Sequence, residues 1–247
     1  MLKKLKELLR RDPEQFRIPR SVQEVIPIRT VWKSGIFLVG PNRYSRTWQF
    51  SDINYALAGE EDQKSMLLGY SGLLNLCDSN ASTKFSVATR KLNRRDFEDY
   101  IMIPYANDGH DHYRREYNAM LLEKASHASG MIRDLYITVT VTRKSYKDAE
   151  NYFVRAGAEF TLALSRLGSR CTELDLMDRL RVLHGFYRHG EEADFHFDPA
   201  LSMKLGHSFK DYICPDSFEF DRDHFRMGDR YGRVLYLQDY AAYLRDD

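Results

Sequence analysis

The stretch from Leu135 to Leu174 constrains the fold most. Leu135–Thr142 reads LYITVTVT. Val, Ile and Thr suit a pleated, half-buried surface, so this segment is predicted to be a strand. Lys147–Leu167 follows, with Ala149, Phe153, Ala156, Phe160, Leu164 and Leu167 at helical spacing. That stripe marks a long helix with one face on a core. Gly168 is placed to cap its C-terminus, and Cys171–Leu174 reads as a further short strand. Asp175 is an N-cap for a helix reaching about Arg188, with Leu176, Leu180, Leu183 and Tyr187 on one face.

The rest of the chain must fit around this β-α-β-α succession. Val25–Trp32, Ile36–Val39 and Tyr44–Phe50 read as a meander of strands, with turns at Ser34-Gly35 and Gly40-Pro41-Asn42. Met66, Tyr70, Leu73, Leu74 and Cys77 define one apolar helical face. Lys84–Arg90 alternates as a strand, and Arg94–Ile103 is expected to be a short helix stopped by Pro104. A helix continues through Tyr113, Tyr117, Met120, Leu121, Lys124 and Ala128. In the tail, Phe195–Phe197, Ser217–Phe220 and Arg233–Leu237 are expected strands, with a turn at Met227–Gly232. Hairpins mixed with crossovers predict an α+β fold with mixed or antiparallel sheets and packed helices. The βαβ…βαβ order points to a split, ferredoxin-like arrangement. Three regions are expected: a lead-in over 1–24, an α+β core over 25–190, and a strand- and loop-rich acidic tail over 191–247.

Charge sharpens this division. The chain is nearly neutral at +1. Yet residues 1–46 hold eleven Lys and Arg against four Asp and Glu, and residues 191–229 hold four against ten. Overall neutrality argues against whole-surface nucleic-acid binding. Met1–Arg11 is expected to be a short cationic amphipathic helix, with Leu2, Leu5, Leu8 and Leu9 on one side and Lys3, Lys4 and Lys6 among the flanking cations. Leu2, Lys3, Lys4 and Lys6 are candidates for peripheral contact with an anionic membrane or a partner. No apolar run reaches the roughly 18–20 residues of a membrane span, and no secretory signal is expected. Three scattered Cys (Cys77, Cys171, Cys214) do not make a disulfide framework, so a reducing, cytoplasmic compartment is expected.

Catalytic patterns are sparse. No G-x-x-x-x-G-K-[ST] and no G-x-G-x-x-G occurs, so the local backbone cradle and Lys that hold phosphates are missing. No G-x-S-x-G occurs either. His110-Asp111-His112, and His196, Asp198, His207, Cys214 and His224 in the tail, lack the tight pairing usual for zinc; a metal hydrolase built on His196, Asp198, His207 and His224 is the remotest reading. Carboxylates flanking Cys214 would raise its thiol pKa rather than activate it. Arg43 and Arg46 alternate with Tyr44 and Trp48, and Arg90, Arg94 and Arg95 follow in a basic run. These five Arg are the nucleic-acid candidates, set against a sheet whose Arg residues face water. Trp32, Trp48 and Phe209 are expected to serve core packing. No catalytic, cofactor or metal residue is assigned.

Three longer strings carry a resemblance. GIFLVGPNRYSRTWQFSDINYALA (35–58), RREYNAMLLEKA (114–125) and GHSFKDYICPDSFEF…MGDRYGRVLYLQDYAAYL (206–244) resemble the N-terminal region of conjugative-transfer, type IV secretion ATPases of the VirB-four/TrbE/CagE type. The form resembled is the one found on mobile elements of Gram-positive bacteria. In that family this region precedes a RecA-like motor domain that carries the P-loop, the Walker B acid and the arginine finger. The sequence given contains none of these, so no catalytic residue transfers to any position here. The resemblance implies a non-catalytic assembly and docking domain, cytoplasmic and peripheral at the inner face of the cell membrane. Its partners would be channel subunits, its own motor domain and other copies. The chain is then expected to be a piece of something longer. The alternative is a stand-alone DNA-binding accessory protein of conjugative transfer.

Overall fold

A computed structural model describes residues 19–76, 78–91, 101–127, 131–237 and 239. The expected helices over Met1–Arg11 and most of Arg94–Ile103 lie outside these residues, as do Leu2, Lys3, Lys4, Lys6, Cys77, Arg94 and Arg95. The chain forms two compact units, Ile28–Ile213 and Met1–Pro27 with Cys214–Asp247.

The larger unit is α+β. Its strands are β1 (Thr30–Val31), β2 (Phe37–Gly40), β3 (Arg43–Phe50), β4 (Ala81–Lys91), β5 (Met131–Thr142) and β6 (Cys171–Glu173). Its helices are α1 (Glu60–Asn75), α2 (Asp111–His127), α3 (Tyr146–Arg166), α4 (Leu176–Tyr187) and α5 (Pro199–Leu205). The sheet runs β1-β2-β3-β5-β4, and β6 also pairs with β3. β3 gives one edge to β5 along its whole length. Its other edge is shared: Arg43–Ser45 pairs with β2, and Trp48–Phe50 pairs with β6. Every pairing is antiparallel.

Within this sheet, β3-α1-β4-β5-α3-β6 lies in the spatial order β6-β3-β5-β4. β5 sits between β3 and β4, and β3 sits between β5 and β6. Both crossovers are therefore split β-α-β units, the ferredoxin-like order expected from the sequence. α2 lies in the connection between β4 and β5.

Alternation along the strands decides what each face holds. Tyr44, Trp48, Ile137, Val139 and Val141 join Ala149, Tyr152, Phe153, Ala156, Phe160 and Leu164 of α3 in one core. Trp48 is 1% exposed, with Phe153 and Phe160 rings 6.2 and 5.3 Å away. A Cβ at Gly157 would stand 3.0 Å from the Trp48 ring nitrogen, so the glycine leaves room for the indole. The other face mixes buried Phe37 and Tyr136 with polar cross-strand pairs. There Thr47 and Thr138 hydroxyls bond at 2.9 Å, and Gln49 donates to Asp134 at 3.2 Å.

Local signals set the helix ends. Ser145 accepts from the Asp148 N–H at 3.2 Å, and Asp175 accepts from Asp178 at 2.9 Å. Gly168, just past α3, has φ +78°, the left-handed conformation that ends helices.

Several expected elements differ. Val25–Trp32 is not one strand. Ser21 caps a single helical turn over Val22–Val25, Pro27 offers no N–H, and pairing begins only at Thr30. Phe195–Phe197 lies between a 3₁₀ turn (Glu192–Asp194) and α5, unpaired with any described strand. α5 was missed, although Asp198 caps it, Pro199 opens it and Gly206 closes it at φ +71°. In the smaller unit, β7 (Phe218–Phe220), β8 (Phe225–Met227) and β9 (Arg230–Gly232) form an antiparallel meander. The last strand thus precedes the expected Arg233–Leu237, and the expected Met227–Gly232 turn narrows to Gly228-Asp229.

Candidate functional site

The most unusual chemistry of the larger unit is a pair of buried arginines around β3. Arg179 of α4 is 8% exposed, and its guanidinium is held by carbonyl and hydroxyl oxygens. Its guanidinium donates to the Gly35 and Ser45 carbonyl oxygens, each at 2.8 Å, and to the Ser45 hydroxyl at 3.1 Å. It also lies 3.9 Å above the Phe37 ring. Phe37 and Ser45 are cross-strand partners, so one cation fastens the β1–β2 turn and β3 to α4. Burial, and then the charge of Arg46, push its pKa down to about 9. It remains protonated at neutral pH.

Arg46 is 7% exposed and pairs with Glu173 of β6 at 2.7 Å. Its side chain serves the sheet. Arg90 on β4 bonds Asp134 of β5 at 2.9 Å and is half-buried. Of the nucleic-acid candidates, Arg43 is exposed, while Tyr44 and Trp48, the expected stacking rings, are 7% and 1% exposed. The aromatic–basic alternation of β3 therefore presents no base-stacking platform. Nor do its Arg all face water, because Arg46 is buried and pairs with the exposed Glu173 carboxylate of β6. Trp32 packs beside the same core, its ring 4.8 Å from Tyr146.

The histidine and carboxylate candidates have structural partners. Asp198 accepts from Ala200 and Leu201 N–H groups as the cap of α5. His196 and His207 rings lie 6.3 and 6.5 Å from Tyr212. His224 bonds Asp223 at 2.9 Å, which raises the imidazole pKa. His110 and His112 lie beside the Tyr113 ring. Asp111 and Asp108 pair with Arg114, which holds both carboxyls below the usual range. Among the described residues no group of three or more His, Cys, Asp or Glu is placed to hold a metal ion. Burial pushes the Cys171 thiol up, away from thiolate character.

Two helices of the larger unit carry exposed apolar side chains. On α2 the helically spaced Tyr113, Tyr117 and Met120 are 63, 47 and 38% exposed. Its inward side is polar. Asn118, 2% exposed, donates to the Ile103 carbonyl and accepts from the Ile103 N–H, each at 2.9 Å. On α1, Leu73 is buried, but Leu67, Leu68, Tyr70 and Leu74 are 60, 73, 41 and 43% exposed. Large apolar side chains thus crowd two helices that cover little of the core. The smaller unit has an open, shallow depression at the β7–β8 turn, lined by Phe220–Phe225, Arg233 and Val234. Beyond it Val234, Leu235, Tyr236 and Leu237 are all at least 67% exposed. No helix among the described residues is long and apolar enough to cross a membrane.

No protein-family model matches the chain, and no curated protein matches its sequence.

Proposed function

We propose that this chain is a non-catalytic assembly and docking module of a conjugative type IV secretion ATPase, working through protein–protein contact at the inner face of the cell membrane. The observation that carries the docking part is the exposed apolar side of α1 and α2, with Leu67, Leu68 and Tyr113 each at least 60% exposed. Such patches on a folded unit mark surfaces that bind other surfaces. The three family-like strings supply the conjugative setting. In this reading ATP turnover belongs to the motor domain of the resembled family, and the lack of a phosphate-binding motif in these residues supports that. The cationic Met1–Arg11 segment, with Leu2, Lys3, Lys4 and Lys6, supplies the membrane-proximal contact in this reading.

The test is genetic and biochemical. In a host carrying the gene on a transferable element, deletion is expected to abolish transfer. Leu67→Asp with Leu68→Asp is expected to lower transfer at unchanged protein level. Unimpaired transfer after deletion would overturn the conjugative setting. The purified chain is expected to show no ATP turnover above background; turnover that co-elutes with it would overturn the non-catalytic reading. DNA binding that weakens steeply with salt would favour the accessory-protein alternative.

A further inference from the structure

β4 is the outermost strand of the larger sheet. It pairs with β5 over eleven residues, Ala81 to Lys91, and among the described residues no strand covers its other side. A long edge of this kind is a template for another strand. We propose that β4 pairs with β4 of a second copy of this chain, antiparallel about a two-fold axis through Ser86, joining two sheets into one. This deepens the assembly reading and rests on it.

Three observations select a second copy and this register. A two-fold axis perpendicular to the sheet keeps both helical layers on one side, so residues must meet partners of like parity. Centred on Ser86, the whole of β4 overlaps: Phe85 faces Val87, Thr83 faces Thr89, Lys84 faces Ala88 and Arg90 faces Ser82. No cation meets a cation. Moving the axis to Val87 would set Lys84 opposite Arg90, a like-charge pair that opposes pairing.

The second observation is Val87. It is 64% exposed at the open edge, on the same face as Phe85, whose ring lies 6.2 Å from Tyr70 of α1 and 6.5 Å from Phe50. In the proposed pair each Val87 is covered by the partner's Phe85.

The third is the stripe on α1. The Gly69 side of α1 meets Leu167, which follows α3; a Cβ there would stand 2.6 Å from a Leu167 methyl. Tyr70 reaches Phe85 on β4. Leu67, Tyr70 and Leu74 share the flank of α1 that turns away from Gly69, spaced i, i+3 and i+7. The two-fold axis sets these flanks side by side, so strand pairing and apolar burial occur together.

The test uses the whole purified chain. Light scattering across a concentration range is expected to show mass rising from 29.0 kDa toward twice that value. Val87→Lys, at an exposed position, is expected to keep the chain folded and shift the dimer's dissociation constant at least tenfold upward. Ser86→Cys is expected to give a covalent dimer with a short thiol cross-linker, in excess of the wild-type background. That product is expected to vanish when Val87→Lys is added. A monomer at every concentration would overturn the proposal, while docking to a different protein would survive. A dimer that ignores Val87→Lys and leaves Ser86→Cys uncoupled would overturn it too, with self-assembly placed on another surface.

Discussion

Helices α1 and α3 bridge strands of the same sheet by the same kind of crossover, yet they are used differently. α3 buries Ala149, Tyr152, Phe153, Ala156, Gly157, Phe160 and Leu164, whereas α1 buries Leu73 alone. Both helices look amphipathic as strings. The contrast follows from what lies beneath. α3 faces the central pair β3 and β5, whose Trp48, Ile137 and Val139 fill the space under it. α1 reaches toward edge strand β4, where the side chains on its face are Thr83, Phe85 and Val87. Thus an apolar stripe says that a helix can bury a face; the neighbouring strand decides how much of it is buried in this chain.

Substitutions can break or sharpen this contrast. Phe153→Ala should cost the most, about 3–5 kcal/mol, because it empties a fully packed site; denaturant unfolding measures it. Leu73→Ala should cost about 2–4 kcal/mol, since Leu73 is the buried residue of α1. A loss below about 1 kcal/mol would show that α1 is not docked on the core. Arg179→Met keeps the bulk but strips donors from the Gly35 and Ser45 carbonyls. About 1–3 kcal/mol should be lost by the same measurement.

A smaller effect should come from pH. His184 on α4 is 4% exposed, and its Nδ1 lacks a hydrogen-bond partner among the described residues. Burial, and then the charge of Arg188, hold its pKa below the ordinary 6.5. The unfolded chain then binds the proton more readily than the folded one. Its contribution is intact above about pH 6.5 and is lost as pH falls below that value. His224, raised by Asp223, acts in the opposite sense from the surface. The melting temperature should therefore fall less between about pH 7.5 and pH 5.5 in His184→Leu than in the wild type. The smallest effect is Leu68→Ala, 73% exposed, which should stay within about 0.5 kcal/mol for the isolated chain. A larger loss would reveal a covered α1.

Much of the fold was legible because its signals are local. Val, Ile and Thr alternation announced β5, apolar spacing announced α3, and Ser145, Asp175 and Gly168 marked helix ends. The candidate surface was not legible. The outward Tyr113–Tyr117–Met120 stripe of α2 has the spacing of a buried face, and the residue that turns inward, Asn118, looks like a surface residue. Periodicity reports that a face is apolar and not which way the helix is rolled. Asp198-Pro199 with Gly206 is a helix signal that could have been read, and it lay hidden in a segment read for aromatic strands.

The turn at Gly35 divides what each level determines. From sequence alone, Ser34-Gly35 between two apolar runs calls for a reversal. Gly35 indeed sits at φ +78°, a conformation that side chains with a Cβ disfavour. Only the tertiary structure shows that a Cβ there would collide with the Leu174 carbonyl oxygen, and that the Gly35 carbonyl is bound by Arg179. The sequence separation between Arg179 and Gly35 leaves no periodic trace. Local backbone preferences specified the helices, strands and turns. Burial of Arg46 and Arg179, the two-sided pairing of β3 and the place of β4 at the end of the sheet order were decided only when distant segments met, because desolvation and strand pairing depend on what lies across the gap.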